Sequence, residues 1–271
     1  MKILKNQPLV STVIGTYNAE LYVEQTLKSI LSQNYPHQEV VVVDDASRDT
    51  TWEILNSIRD SRLRCFRNPH NRGIPATRNR GFQMARGEFI SFFDHDDIML
   101  PGAMEPRADF LTRHKNVNAV FGYVKAVVGK KSRALQRHPH SEALKTVRFC
   151  RLIKVIHHPL LVRFSCAVNL LTTLMVKRVV AERVGRFDQG FKMLECRDYV
   201  FRINRLTPLY FLDIPVMLYR WHDKNTSKTV SPKLFEKDCM RLYRKHWKFL
   251  NKDERLLFNG TGSTIKQFLK G

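Results

Sequence analysis

The sequence predicts an α/β fold, a doubly wound sheet with helices on both faces. Strand-like and helix-like stretches alternate four times within about ninety residues, the signature of successive β-α units. The strand-like stretches are near-continuous apolar runs such as Val40-Val41-Val42-Val43, as expected of parallel strands buried on both faces. Polar and acidic residues follow directly on successive runs: Thr16, Asp45, then Asp96 and Asp97. In such sheets ligands sit at the carboxyl ends of the strands.

Each element has a local reason. Val10 to Thr16 is a β-branched run and reads as the first strand, with Thr16-Tyr17-Asn18 as its loop. From Ala19 to Gln33, Leu21, Val23, Leu27, Ile30 and Leu31 keep helical spacing, and Asn34-Tyr35-Pro36 ends the helix. The four valines form the second strand, which runs into Asp44-Asp45-Ala46-Ser47-Arg48-Asp49-Thr50. Asp49 or Thr50 is placed to cap a helix carrying Trp52, Leu55 and Ile58. Leu63 to Phe66 is a short third strand. Gly73 permits a turn, and Pro75 opens a helix to Ala85. Glu88 to Phe93 is the fourth strand, ahead of Asp94-His95-Asp96-Asp97.

Beyond this point the alternation breaks down. Pro101 to His114 reads as a helix, Val117 to Val128 as a strand or hairpin, and Val168 to Val176 as a strand. Lys177 to Val184 is a short helix stopped by Gly185, and Glu195 to Arg205 is another helix. Tyr210 to Leu212 and Val216 to Tyr219 are strand-like on either side of Pro215. The division expected is one domain over 1–232, with a first half over 8–100 and a second over 101–232, followed by a basic helical extension over 233–271.

Charge sets further bounds. The 271 residues hold 46 Lys and Arg against 25 Asp and Glu, a formal net charge of +21. Such a chain is drawn to polyanions: nucleotide-linked substrates, nucleic acid or an anionic membrane surface. Between Lys125 and Arg163 lie ten Lys and Arg and a single acid, Glu142. That segment is an amphipathic surface helix for anionic lipid, a lid over an anionic substrate, or a solvated charged face. The cysteines, Cys65, Cys150, Cys166, Cys196 and Cys239, are scattered without a CxxC pair. This disfavours a disulfide framework or zinc site and fits a reducing cytosol. The first eight residues lack the apolar core of a signal peptide.

The acidic stretch places three carboxylates within four residues, Asp94, Asp96 and Asp97. They repel one another unless a cation sits among them. Hard oxygen donors suit Mn²⁺ or Mg²⁺. A solvated acidic turn is the alternative, disfavoured by the convergence of candidates on one sheet edge. No GxGxxG turn follows the first strand, and neither a P-loop nor a GxSxG elbow is present. His138, His140, His157 and His158 lack a third ligand at useful spacing.

The ordered set Val10–Asn18, Val43–Thr50, Asn71-Arg72-Gly73 with Ala76–Asn79, Ala85–Glu88, Asp94–Asp97, Gly185–Asp188 and Tyr219-Arg220 resembles the family-2 inverting glycosyltransferases. The resemblance covers roughly residues 8 to 230 and implies a GT-A-type, Rossmann-like mixed sheet with helices on both faces. It also implies roles. Asp45 would accept a hydrogen bond from the nucleotide base, with Thr16 and Tyr17 walling its pocket. Arg78 would lie near the nucleotide or diphosphate. Asp96 and Asp97 would form the metal motif, Asp97 being the direct ligand. His222 sits where relatives often carry a histidine near metal or diphosphate, or else is an ordinary surface histidine.

One position departs from the family. Where the catalytic base is usually the Asp of a Glu-Asp pair, this chain reads Leu194-Glu195-Cys196-Arg197-Asp198, with Cys196 in that place. A thiol does not replace a carboxylate base, so the role passes to Asp198 first and Glu195 second, or turnover is weak. The function expected is metal-dependent inverting transfer of a sugar from a nucleotide-diphosphate donor, UDP-linked by preference. The acceptor would be a hydroxyl of a glycan or lipid-linked glycan, in surface-polysaccharide assembly. The expected setting is cytoplasmic, peripheral on the inner face of the membrane. The alternative is a catalytically weak, glycosyltransferase-like protein that binds nucleotide or glycan. Nucleic-acid binding is not expected, because no aromatic-basic recognition motif accompanies the charge.

Overall fold

In the computed structural model, which describes residues 7–128, 155–156, 170–225 and 229–249, the four apolar runs become parallel neighbours. They are β1 (Val10–Thr16), β2 (Gln38–Asp44), β3 (Leu63–Arg67) and β4 (Phe89–Asp94), in the order β3-β2-β1-β4. Helices α1 (Val23–Leu31), α2 (Thr51–Ser57) and α3 (Ile74–Met84) connect them. Every residue of β2 is buried, consistent with helices covering both faces. The register pairs Thr16 with Asp44 and Gly15 with Asp94. The carboxyl ends of the three central strands therefore stand in line on one edge, with β1 flanked on both sides as at a topological switch point.

Two glycines hold this arrangement. Gly73 opens α3 with φ +84°, a left-handed conformation that side chains resist. A Cβ on Gly87, just ahead of β4, would stand 2.6 Å from Leu9 O and Ser11 N. Only glycine lets that backbone pass so close to β1.

The second half extends the sheet with mixed polarity. It contains β5 (Ile98–Met99), α4 (Met104–Arg113), β6 (Ala119–Val128), β7 (Val155–Ile156), α5 (Leu170–Thr173) and β8 (Leu174–Lys177). After these come α6 (Arg178–Val184), α7 (Glu195–Leu206), β9 (Leu209–Arg220) and α8 (Pro232–His246). From β4 the order continues β8-β6-β9-β5, with β7 paired to β9. β8 is antiparallel to β4 and β6, and β9 is parallel to β6. Adjacent residues of β4 face opposite layers: Phe92 joins Phe187, Tyr199 and Leu242 on one side, and Phe93 joins Ile14, Met104 and Met217 on the other. Because Leu242 of α8 lies in the same apolar cluster as Tyr199 of α7, α8 packs as part of the main body.

The structure alters several expected elements. α1 starts at Val23, after a turn in which the amides of Tyr22 and Val23 both bond Ala19 O. The run Val168 to Val176 is not one strand: its described part is a helical turn, α5, followed by β8. A short apolar run without periodicity does not distinguish the two. The two stretches beside Pro215 form a single strand, β9, because the proline falls where the β6 pairing shifts register and no ladder amide is required. Within the run Val117 to Val128 lies one strand, β6, starting at Ala119, and no hairpin among the described residues. Most of the basic segment, the four histidines between 138 and 158, and the chain after 249 lie outside the described residues.

Candidate active site

The first two strand ends are tied together by their loops. Asp45 N donates to Thr16 O at 2.8 Å, Asn18 N to Ser47 Oγ at 2.9 Å, and Arg48 N to Asn18 Oδ1 at 2.9 Å. Asn18 and Ala46 adopt positive φ to make these turns. Asp44 is fully buried against Arg67 and Ser47. Its neighbour Asp45 points elsewhere: its carboxylate accepts from Asn68 Nδ2 at 2.6 Å, Arg72 N at 3.0 Å and Gly73 N at 2.8 Å. This fixes the turn that opens α3 and orients the carboxylate. Thr16 is buried, with its hydroxyl donating toward Asp44, while Tyr17 is 39% exposed at the rim.

The acidic loop after β4 is anchored at every residue. Asp94 receives Arg78 at 2.6 Å. His95 Nδ1 meets Gly15 O at 3.1 Å. Asp96 Oδ2 lies 2.9 Å from His222 Nε2 and accepts from Asn225 Nδ2 at 3.3 Å. The His222 ring stacks on Tyr22 with centroids 4.5 Å apart. Asp97 is 0% exposed; its Oδ1 accepts from Arg220 N at 2.9 Å, and its Oδ2 has no hydrogen-bond partner among the described residues. Burial, then the charges of Asp96 and Asp94, holds the Asp97 carboxyl well above its ordinary range. Burial also acts to raise Asp96, but the His222 bond and the nearby His95 outweigh it, and Asp96 lies below its ordinary range.

Arg78 links this loop to the second half of the chain. Its two terminal nitrogens bond Asp94 Oδ1 and Glu195 Oε1, each at 2.6 Å. Glu195, the first residue of α7, is 3% exposed and leaves Oε2 without a hydrogen-bond partner among the described residues. Burial raises its carboxyl above the ordinary range despite Arg78. The Cys196 thiol is pushed up to about 12, by burial and then by Glu195, so it is neutral near pH 7. Asp198 is elsewhere. It is 0% exposed and gripped by Arg202 at 2.9 Å, Lys245 at 2.8 Å and His246 at 2.9 Å. The preference for Asp198 as base is therefore revised: cations of α7 and α8 occupy its oxygens, while Glu195 shares Arg78 with the acidic loop.

No group of three or more His, Cys, Asp or Glu among the described residues is arranged to hold a metal ion. Mg²⁺-type sites seldom need one, since one or two carboxylates with substrate phosphates and water complete the shell. The buried, unpartnered Oδ2 of Asp97 is a hard donor of the right kind, and it fits such an ion.

The family model described as Glycosyl transferase family 2 matches residues 11–168, more than half of the 271-residue chain. The chain belongs to glycosyltransferase family 2. This family-2 glycosyltransferase is 29% identical over 269 residues to an uncharacterised glycosyltransferase of Rickettsia typhi, covering 96% of the chain and 78% of the relative. It is 36% identical over 107 residues to the Escherichia coli UDP-Glc:alpha-D-GlcNAc-diphosphoundecaprenol beta-1,3-glucosyltransferase WfaP, covering 40% of the chain and 43% of that enzyme. Its fold matches S. aureus TarS 1-349 in complex with UDP-GlcNAc at TM-score 0.67 and 21% identity, over 86% of the chain and 65% of TarS 1-349. It also matches the mannosyltransferase PcManGT of Pyrobaculum calidifontis, in complex with GDP-Man and Mn²⁺, at TM-score 0.63 and 19% identity, over 90% and 65% of the two chains. The chain thus spans somewhat less than two thirds of these solved structures. The mixed sheet is that of the GT-A glycosyltransferases.

Several residues that shape the site of this glycosyltransferase were not singled out as candidates: Asn68, Asp94, Arg220 and Asn225. Asp94 and Arg220 stand inside the motifs quoted above, so a signal was present. Their partners are not close in the chain, since Arg220 N reaches Asp97 across 123 positions. The described residues include no helix long and apolar enough to cross a membrane.

Proposed function

We propose that this chain transfers a sugar, with inversion at the anomeric carbon, from a UDP-linked donor to a hydroxyl of a glycan or lipid-linked glycan. The observation that carries the reading is Arg78, which joins Glu195 of the second half to Asp94 at the head of the acidic loop. A carboxylate with an unpartnered, buried oxygen is thereby brought to the strand end where the donor diphosphate would lie.

In this reading Asp45 accepts a hydrogen bond from the base of the nucleotide, its carboxylate oriented by Asn68, Arg72 and Gly73, with Thr16 and Tyr17 at the pocket wall. Asp97 would hold Mn²⁺ or Mg²⁺ through Oδ2, and Asp96 and His222 would complete the protein's share of that site. The chemistry such an ion supplies is Lewis-acid stabilisation of the departing nucleoside diphosphate. Glu195 Oε2 takes the proton of the acceptor hydroxyl as that oxygen attacks the face opposite the leaving group. Its raised proton affinity brings it nearer the working pH, where a general base is most effective. Arg78 orients Glu195 rather than binding phosphate directly. UDP-sugar complexes of TarS and the lipid-diphosphate acceptor in the name of the E. coli relative support the donor and acceptor classes. The net charge of +21 supports a peripheral position on an anionic membrane surface.

Calorimetric titration of UDP with and without Mn²⁺ tests the proposal. The expected result is metal-enhanced binding that Asp97→Ala removes; binding indifferent to both would overturn it. Cys196 at the usual base position supports a second reading, a binding protein with weak turnover. Sugar transfer that is absent from the wild type and appears in Cys196→Asp would favour that reading.

A further inference from the structure

The helix that carries Glu195 begins without a cap of its own. Its N-cap residue is Leu194, whose side chain offers no oxygen, and no side chain at that position bonds the first turn. Helix N-termini leave backbone amides unpaired, and leaving them buried is costly. The turn that leads into it is held from α8, and of the amides bonded there only Leu194 N belongs to the helix end. Asp238, 1% exposed, directs a single carboxylate oxygen, Oδ2, at three consecutive amides: Lys192 N at 2.8 Å, Met193 N at 2.7 Å and Leu194 N at 3.3 Å. The same helix holds the segment on either side. Arg241 and Lys245 bond Asp188 at 2.9 and 2.8 Å, and Lys245 and His246 bond Asp198 at 2.8 and 2.9 Å.

We infer that Asp238 is a positioning residue for the catalytic base: it anchors the turn of residues 192–194 that leads directly into α7, and so sets where Glu195 projects. The inference rests on the reading of Glu195 as base. A negative charge at a helix N-terminus also complements the helix dipole, so the carboxylate satisfies both the amides and the field. A loosened turn would move Glu195 relative to Arg78, and geometric errors of this kind act on the chemical step more than on donor binding.

Cys196, next to Glu195, supplies a readout that needs no substrate. The full chain is labelled with N-ethylmaleimide, and each cysteine is followed by peptide mass, with half-buried Cys65 of β3 as internal reference. Asp238→Ala is expected to raise Cys196 labelling about tenfold with Cys65 unchanged, the size of effect that losing a cap produces. Asp238→Asn keeps the volume and one acceptor oxygen, and about a threefold rise is expected. In release of UDP from UDP-glucose and UDP-N-acetylglucosamine with Mn²⁺, Asp238→Ala should lower kcat about tenfold and leave donor KM within about twofold, with Asp238→Asn largely rescued. Unchanged Cys196 labelling in both variants, or a parallel rise at Cys65 in both, overturns the inference. So does full kcat in both variants when Glu195→Gln has lost turnover. Full turnover in Glu195→Gln instead overturns the assignment of the base, whatever Asp238 does.

Discussion

Glu195 and Asp198 lie three positions apart at the start of one helix, yet their surroundings assign them opposite work. Glu195 keeps an unpartnered oxygen beside Arg78 and Asp94; Asp198 is enclosed by Arg202, Lys245 and His246. Glu195→Gln should lower kcat by about 10²–10⁴-fold, the range for losing a general base, with UDP affinity unchanged. Asp198→Asn should leave turnover of the folded protein near wild type and cost about 3 kcal/mol of stability, as expected when a buried ion pair loses one partner. Turnover assays and urea melts on the two variants separate these outcomes. From the sequence the two acids share a face by spacing, and nothing local tells them apart. What separates them is α8, nearly fifty residues away, together with Arg78 from the first half.

Among the elements, the legible ones are those whose burial is uniform. β1, β2 and β4 show as apolar runs because both faces are covered, and Asp45, Asp96 and Asp97 could be placed at strand ends by counting alone. α5 and β8 could not be parsed, since an apolar run of mixed conformation has no period to read. β9 was divided at Pro215 because a proline argues against a strand interior, and only the shifted pairing with β6 accommodates it. α8, which the sequence reads as the start of a basic helical extension packing on the domain, is tied to α7 through a pH-sensitive contact. Burial lowers the proton affinity of His246, against the pull of Asp198, and its folded pKa lies below the ordinary value. The consistent arrangement is a neutral imidazole donating Nε2–H to ionised Asp198. Protons therefore bind the unfolded chain more readily, and the stability from this group is present above about pH 6.5 and is lost as pH falls toward the folded pKa. The melting temperature should decline from pH 7 to pH 5, and His246→Gln, which can still donate to Asp198, should flatten that decline. An unchanged slope in the variant would assign the effect to other groups.

Over the whole molecule, the parallel first half and the mixed second half share one sheet, and the candidate site lies where they meet: the loops after β1, β2 and β4 on one side, the start of α7 and the end of β9 on the other. The surplus of positive charge belongs to this scale too, since no single motif accounts for it. If it holds the protein at a membrane, sedimentation with vesicles containing phosphatidylglycerol should exceed that with neutral phosphatidylcholine, and should fall away by about 0.5 M salt as screening shortens the reach of charge. Equal sedimentation with both vesicle types would remove the membrane from the proposal.

Arg220 holds Asp97 with its main-chain nitrogen rather than its guanidinium. Side-chain scanning is blind to such a tether: alanine at 220 keeps the amide, and so would every other residue but one. Arg220→Pro alone deletes the donor, and it should release Asp97 and abolish Mn²⁺-dependent UDP affinity where Arg220→Ala retains it in part. The position thus makes two separate demands, a peptide N–H for Asp97 and a guanidinium that bonds Gln25 and lies over Tyr22, and only the proline substitution removes the first.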